Sequence, residues 1–247
     1  MSLSFVGDSS LSGDTLTATL NPNASTVAGD VMFAMIAGKA TVTSVPSVTT
    51  SGADWDPVFP GRVVELQSGS VRWLYASVFM KIATSSDPAT AYTWTFPADF
   101  TDTLCGYGIT IATFRGITNP EIVSNLTAET QQYGGTTRSP AERPTLTRHG
   151  SSLSFAIGQS EPTLHTAYDF TLHTGGSLPG LAGISLASQD DGQSAGLWAI
   201  NGIPEWNVPA GTGGVAMYFS MAIGTIPPTG LVRGLRIGAA GSGLILG

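Results

Sequence analysis

Gly192-Gln193-Ser194-Ala195-Gly196 matches the G-x-S-x-G pattern that, in a hydrolase, sets a nucleophilic serine on a sharp turn between a strand and a helix. That chemistry needs the helix. The next thirteen residues are LWAINGIPEWNVP, two of them prolines, so no helix is expected and the motif reads as a turn. Ser194→Ala should therefore leave any hydrolytic assay unchanged. The histidines are His149, His165 and His173, none of them in the i, i+4 spacing of a helical metal site, and they read as structural or surface residues. Asp54/Asp56 and Asp190/Asp191 sit in SGADWDP and SQDDGQS, among turn formers. There an aspartate caps backbone amides, although hard carboxylate oxygens would also suit a loop Ca²⁺ site. Trp55 and Trp206 lie in the Pro-rich segments ADWDPVFP and IPEWNVP. Either indole can plug an end of the core, or stand exposed and stack on a sugar ring. No Gly-rich loop follows a strand and opens a helix, so a nucleotide site has no support. The expectation is a non-enzymatic chain with no catalytic residue, cofactor or metal.

The elements that must carry these residues are strands. Charged residues make up 11% of the 247 residues and hydrophobic ones 42%. The rest is rich in Ser, Thr and Gly, which favours strands and tight turns over helices with Glu- and Lys-bearing faces. In VAMYFSMAI, Val215, Met217, Phe219, Met221 and Ile223 fall on one face, the period-two signature of a core strand. TLTATL sets Leu16, Ala18 and Leu20 opposite threonines, and AYTWTF sets Tyr92, Trp94 and Phe96 opposite Thr93 and Thr95. DVMFAMIAG, GYGITIATF and SLSFAIG read as strands buried more fully. SVRWLYASVFMKIA satisfies helical spacing as well, but its β-branched and aromatic residues and the lack of a cap favour a strand, or two joined by a bulge. Residues 121–133 read as irregular, the Gly and Pro clusters at 134–144 and 174–180 as long loops, and Pro227-Pro228 as a boundary. No internal repeat is visible. Together these predict an all-β, antiparallel jelly-roll or Greek-key β-sandwich over residues 1–226 with a C-terminal extended arm over 227–247.

The net charge is −7 and the ten Lys and Arg are scattered, so no positive stripe is available for nucleic acid. Cys105 is the one cysteine and allows no internal disulfide. The N-terminal MSLSFVGDSSLSGD lacks a basic and an apolar signal region, and no apolar run approaches the ~18 residues that span a bilayer. Synthesis in the cytoplasm, without membrane insertion, is expected.

The order of motifs resembles that of the jelly-roll-like β-sandwich proteins found among structural components of tailed bacteriophage virions. It runs through Gly29-Asp30-Val31, the Trp55 loop, ASVFMKIATSSDPATAYTWTF, IATFRGITNPEI, RHGSSLSFAIG and VAMYFSMAIG, over roughly residues 10–226. Within it Gly29-Asp30 is a turn feeding a strand, Asp87-Pro88 a turn between two strands, and Arg115 the partner of a carboxylate or of backbone carbonyls. The resemblance implies a virion decoration, tail or fibre protein whose partners are other virion proteins, and it brings no catalytic residues. The tail, LRIGAAGSGLILG, is similar to short hairpin pieces at the ends of some phage tail proteins. Leu231, Leu235, Ile237, Leu244, Ile245 and Leu246 would then supply an assembly arm, with Arg233 and Arg236 pairing with a partner's carboxylates. A homo-oligomer such as a trimer is expected from so weakly charged a chain with an apolar extension. The alternative is a carbohydrate-binding adhesion module for a host surface glycan, with Trp55 or Trp206 as its platform.

Overall fold

The computed structural model describes residues 4–41, 47–52, 54–65, 73–98, 106–116, 120–122, 127–131, 137–138, 145–146, 150–158, 163–166, 171–178, 182–190, 198–199, 205–207 and 216–225. Among them the chain is antiparallel β-structure throughout, with one 3₁₀ turn at Asp87–Ala89. The first eight strands are β1 (Ser4–Gly13), β2 (Thr17–Leu20), β3 (Val31–Ala40), β4 (Thr49–Thr50), β5 (Asp56–Glu65), β6 (Trp73–Ile82), β7 (Tyr92–Thr95) and β8 (Gly106–Arg115). They form a large sheet in the order β1-β8-β3-β6-β5 and a small sheet β2-β7-β4.

The small sheet has one wet face, as its alternation predicts. Ala18, Tyr92, Trp94 and Phe96 are buried while Thr17, Thr19 and Thr95 are exposed. Leu16 departs from that pattern: β2 starts one residue later, and Leu16 stays exposed while its carbonyl accepts the Phe96 amide at 2.9 Å. The central strands β3 and β8 read as near-continuous apolar runs because both of their faces are covered. Met32, Ala34 and Ile36 of β3 join Tyr107, Ile109 and Ile111 of β8 in the core shared with Trp94 and Tyr92 of the small sheet. Val31, Phe33 and Met35 alternate to the opposite face and are buried just as completely. The ambiguous segment before residue 83 is one continuous strand, β6, paired with β3 from Ala40↔Trp73 to Val31↔Ile82.

Eleven further strands follow among the described residues. They are β9 (Pro120–Ile122), β10 (Thr127–Gln131), β11 (Thr137–Arg138), β12 (Thr145–Leu146), β13 (Gly150–Gly158), β14 (Thr163–Thr166), β15 (Thr171–Leu178), β16 (Ala182–Asp190), β17 (Trp198–Ala199), β18 (Glu205–Asn207) and β19 (Ala216–Thr225). A second large sheet runs β10-β19-β13-β16-β15, with β9 also on β19, and smaller sheets are β11-β18-β14 and β12-β17. The two large sheets pack together: β16 lies against β3 and β8, and β15 against β1. At this contact His173 of β15 stacks on Phe5 with ring centroids 4.4 Å apart and meets Phe114 edge-on at 5.7 Å. Ile184 of β16 is fully buried. The fold is thus an all-β sandwich whose first large sheet is an internal layer.

Four expectations are corrected. Residues 121–133 are not irregular throughout, since β9 and β10 pair with β19; Pro120 fits as the first residue of an edge strand, where its missing N–H costs nothing. The predicted loop at 174–180 gives way to β15 as far as Leu178, paired with β16. Gly175 and Gly176 weaken a strand, but an edge strand holds only one partner and tolerates them. Within 134–144, Thr137–Arg138 form β11. The strand β5 occupies a segment that reads in the sequence only as the Trp55 loop, because Pro57 and Pro60 argue against a central strand. At the sheet edge, with register shifts at Pro57/Phe59 and Phe59/Arg62, both prolines are accommodated. The boundary at Pro227-Pro228 and the arm lie outside the described residues.

Candidate functional site

The clusters of charge among the described side chains lie at the turn-bearing end of the first large sheet. Lys81, near the end of β6, interrupts an apolar strand, and its side chain is only 5% exposed. Its Nζ lies 3.1 Å from Asp54 Oδ2 and 3.6 Å from Asp87 Oδ1, and 5.3 Å from the centre of the Tyr92 ring. Asp87 is 2% exposed and opens a 3₁₀ turn at the place where Asp87-Pro88 predicts a turn between two strands. One carboxylate oxygen accepts the Tyr92 hydroxyl; the other accepts the Thr84 amide at 2.5 Å and the Thr84 hydroxyl at 3.1 Å. Asp54, 75% exposed, closes the cluster from the solvent side.

Aromatic rings wall this cluster. Trp55 meets Tyr92 edge-on at 5.4 Å and Trp94 at 5.4 Å, and Trp94 meets Phe79 at 5.4 Å. Gly52 permits the closure, because a Cβ there would stand 2.8 Å from a Tyr92 ring carbon. Trp55 is 6% exposed and acts as a plug; in this packing it offers no open face to a sugar ring.

Proton affinities decide what the cluster can do. Burial would raise Asp87, but hydrogen bonds from Tyr92 and Thr84 and the charge of Lys81 outweigh it and hold the carboxyl below its ordinary range. Burial would lower Lys81, yet its contacts with Tyr92 and Asp54 leave it above its ordinary value. Tyr92 is raised by burial and by its bond to Asp87. At neutral pH the cluster is therefore Lys81⁺, Asp87⁻ and a neutral Tyr92. None of the three is poised to exchange a proton near pH 7, which acid–base work requires. The cluster ties the 51–56 and 84–92 segments to β6.

A second cluster fixes the turn before β3. Gly29, at φ +90°, takes a left-handed conformation that side chains resist, and Asp30 follows it, 2% exposed. Arg115, at the end of β8, clamps Asp30 through both carboxylate oxygens at 2.8 Å each and donates to the Ser25 carbonyl at 3.0 Å. Asp30 also accepts the Val27 amide at 2.8 Å. Arg115 thus bonds both a carboxylate and a backbone carbonyl, as the sequence suggested. Arg115→Ala is expected to lower the urea midpoint, because Asp30 would lose its bidentate donor. Arg115→Lys should recover only part of the loss, since a point charge cannot reproduce the fork. Equal midpoints for the wild type and Arg115→Ala would show that the clamp contributes nothing.

His173 gives a pH dependence. Burial between the large sheets holds its imidazole below the ordinary value of 6.5. The unfolded chain then binds more protons below that value, so stability should be level above about pH 6.5 and fall as the pH drops. Unfolding of His173→Phe over pH 4–8 checks this: the variant should decline less in acid.

The remaining residues singled out in the sequence are spread over other elements. Trp206 sits in β18 opposite Arg138 and Leu164, and His165 falls within β14. Asp190 ends β16. His149, Asp191, the Ser194 motif and the arm residues Leu231, Arg233, Leu235, Arg236, Ile237, Leu244, Ile245 and Leu246 lie outside the described residues. Among the described residues no group of three or more His, Cys, Asp or Glu side chains converges on a metal-sized site, and no helix is long and apolar enough to cross a membrane. Sequence reasoning passed over Lys81 and Tyr92 as site residues. The signal was there, in a lysine set within the apolar run ASVFMKIA, six residues before an Asp-Pro turn. No known protein family, curated protein or solved structure matches the chain.

Proposed function

We propose that the protein is a non-enzymatic structural component of a tailed-phage virion, a capsid decoration or tail or fibre protein that acts through protein–protein assembly. The observation that carries this reading is how the buried charges are used. Asp30, Lys81 and Asp87 each bond to the protein's own turns and strand ends, which serves a rigid shape. The strand path supports it too. From β1 to β8 the chain alternates between large and small sheets before and after the β5-β6 hairpin, as in a jelly roll that keeps β5 on the large sheet. In this reading the segment after Ile226 is the docking arm, which adds strands to a neighbouring virion subunit or fills a groove on it.

Truncation after Ile226 tests the arm. The shortened chain should fold and stay soluble but fail to join particles; normal incorporation would refute the arm's role. A glycan array run in parallel separates the adhesion reading. Specific glycan binding lost in Trp206→Ala, with the fold intact by circular dichroism, would favour an adhesin over a purely structural subunit.

A further inference from the structure

The two large sheets share one strand order. Writing β10, β11, β13, β14, β15, β16, β18 and β19 for β1 to β8 turns β1-β8-β3-β6-β5 into β10-β19-β13-β16-β15, and β2-β7-β4 into β11-β18-β14. Both substitutions reproduce the observed sheets without exception, and every pairing is antiparallel in both sets.

The irregularities recur as well. The outer strand β5 slips register against β6, and its counterpart β15 slips against β16. At the opposite edge β1 breaks register at Phe5/Gly7, near its start. Its counterpart is interrupted at the same end, where β9 pairs Ile122 with Ile223 and β10 resumes at Thr127 with Ser220. Gly38 of β3 pairs with Tyr107 at the start of β8, and Gly158 of β13 pairs with Ala216 at the start of β19. Among the described residues the β12-β17 pair is the one addition without a counterpart.

We infer that the chain is a tandem repeat of one eight-strand unit, residues 4–116 and 120–225, with the large sheet of the first serving as the docking surface for the second. Among the described residues no strand pairing crosses from one segment to the other. Among the described side chains the core around Trp94 and Tyr75 is drawn from residues 18–111, with Leu11 packed against it, so the first unit carries an interior built from its own strands. What joins the units is side-chain packing, with Phe5 and Phe114 against His173. In place of one domain over residues 1–226, this gives two modules. The two-module architecture stands independently of the virion assignment.

The test uses the full chain with a protease site placed between Gly116 and Pro120. After cleavage of the folded protein, native mass spectrometry should find the two fragments as a 1:1 non-covalent complex. Mild urea should separate them while the near-ultraviolet circular dichroism of the first fragment, which holds Trp55 and Trp94, persists. Hydrogen exchange of the uncut chain at sub-denaturing urea is a second measurement free of any cleavage effect. It should resolve two opening events, one covering β3, β6 and β8 and the other β13, β16 and β19. Loss of both folds on cleavage, or a single opening that spans residues 4–225, would overturn the two-module inference.

Discussion

Asp87→Ala is expected to destabilise the protein by about 3–5 kcal/mol, the range for removing one partner of a buried ion pair. The substitution leaves the buried Lys81 with only the exposed Asp54 as counter-charge, and strips the Tyr92 hydroxyl and the Thr84 amide of their acceptor. Two further results identify the cause. Lys81→Met combined with Asp87→Asn should recover most of the loss, since no buried charge then remains in the cluster. Stability supplied by Asp87 should be complete above the ordinary carboxylate range and disappear as the pH falls through the depressed folded-state value. Urea unfolding at several pH values measures both. A loss below about 1 kcal/mol would mean that the cluster behaves as a surface ion pair.

The second large effect lies between the sheets. Phe114 is fully buried and touches Phe5, Phe33 and His173, with centroids at 5.5, 6.2 and 5.7 Å. Phe114→Ala should cost about 3–5 kcal/mol, through lost transfer energy and the cavity left behind. Because the ring sits at the contact between the two large sheets, protection should fall in β15 and β16 as well as in β8. Hydrogen exchange confined to β8 and β3 would show that the sheets do not depend on each other through this ring.

Much of this fold could be read from the sequence because the period of two survives wherever a strand has one wet face. AYTWTF declares itself by threonines outside and aromatic residues inside, TLTATL by the same alternation from Thr17 onward, and the fully buried β3 and β8 by unbroken apolar runs. The edge strands were illegible for a physical reason. An edge strand pairs on one side only, so β5 accommodates Pro57 and Pro60, and β15 accommodates Gly175 and Gly176, residues that signal loops elsewhere. The repeated strand order left no trace in the sequence because topology is kept by alternation and burial, and residue identity can drift under both. DVMFAMIAG and GSSLSFAIG occupy corresponding strands with few residues in common.

The charged clusters were half legible. Asp30 and Arg115 stood out as a turn residue and a strand-end arginine, and they bond each other across 85 positions of chain. The Lys81–Asp87–Tyr92 cluster needed the fold, since only the pairing of β6 with β3 and of β7 with the small sheet brings its members together. Trp55 carried two readings in the sequence, and its burial against Tyr92 and Trp94 favours the plug.

The virion assignment is tested most directly by counting. On the proposed reading, phage particles from a culture that produces this chain, purified through a density gradient and analysed by quantitative mass spectrometry against a major structural protein, should contain the chain at a fixed, symmetry-compatible number of copies per virion. Absence from the purified particles, with the protein recovered only in the soluble lysate, would contradict a structural role.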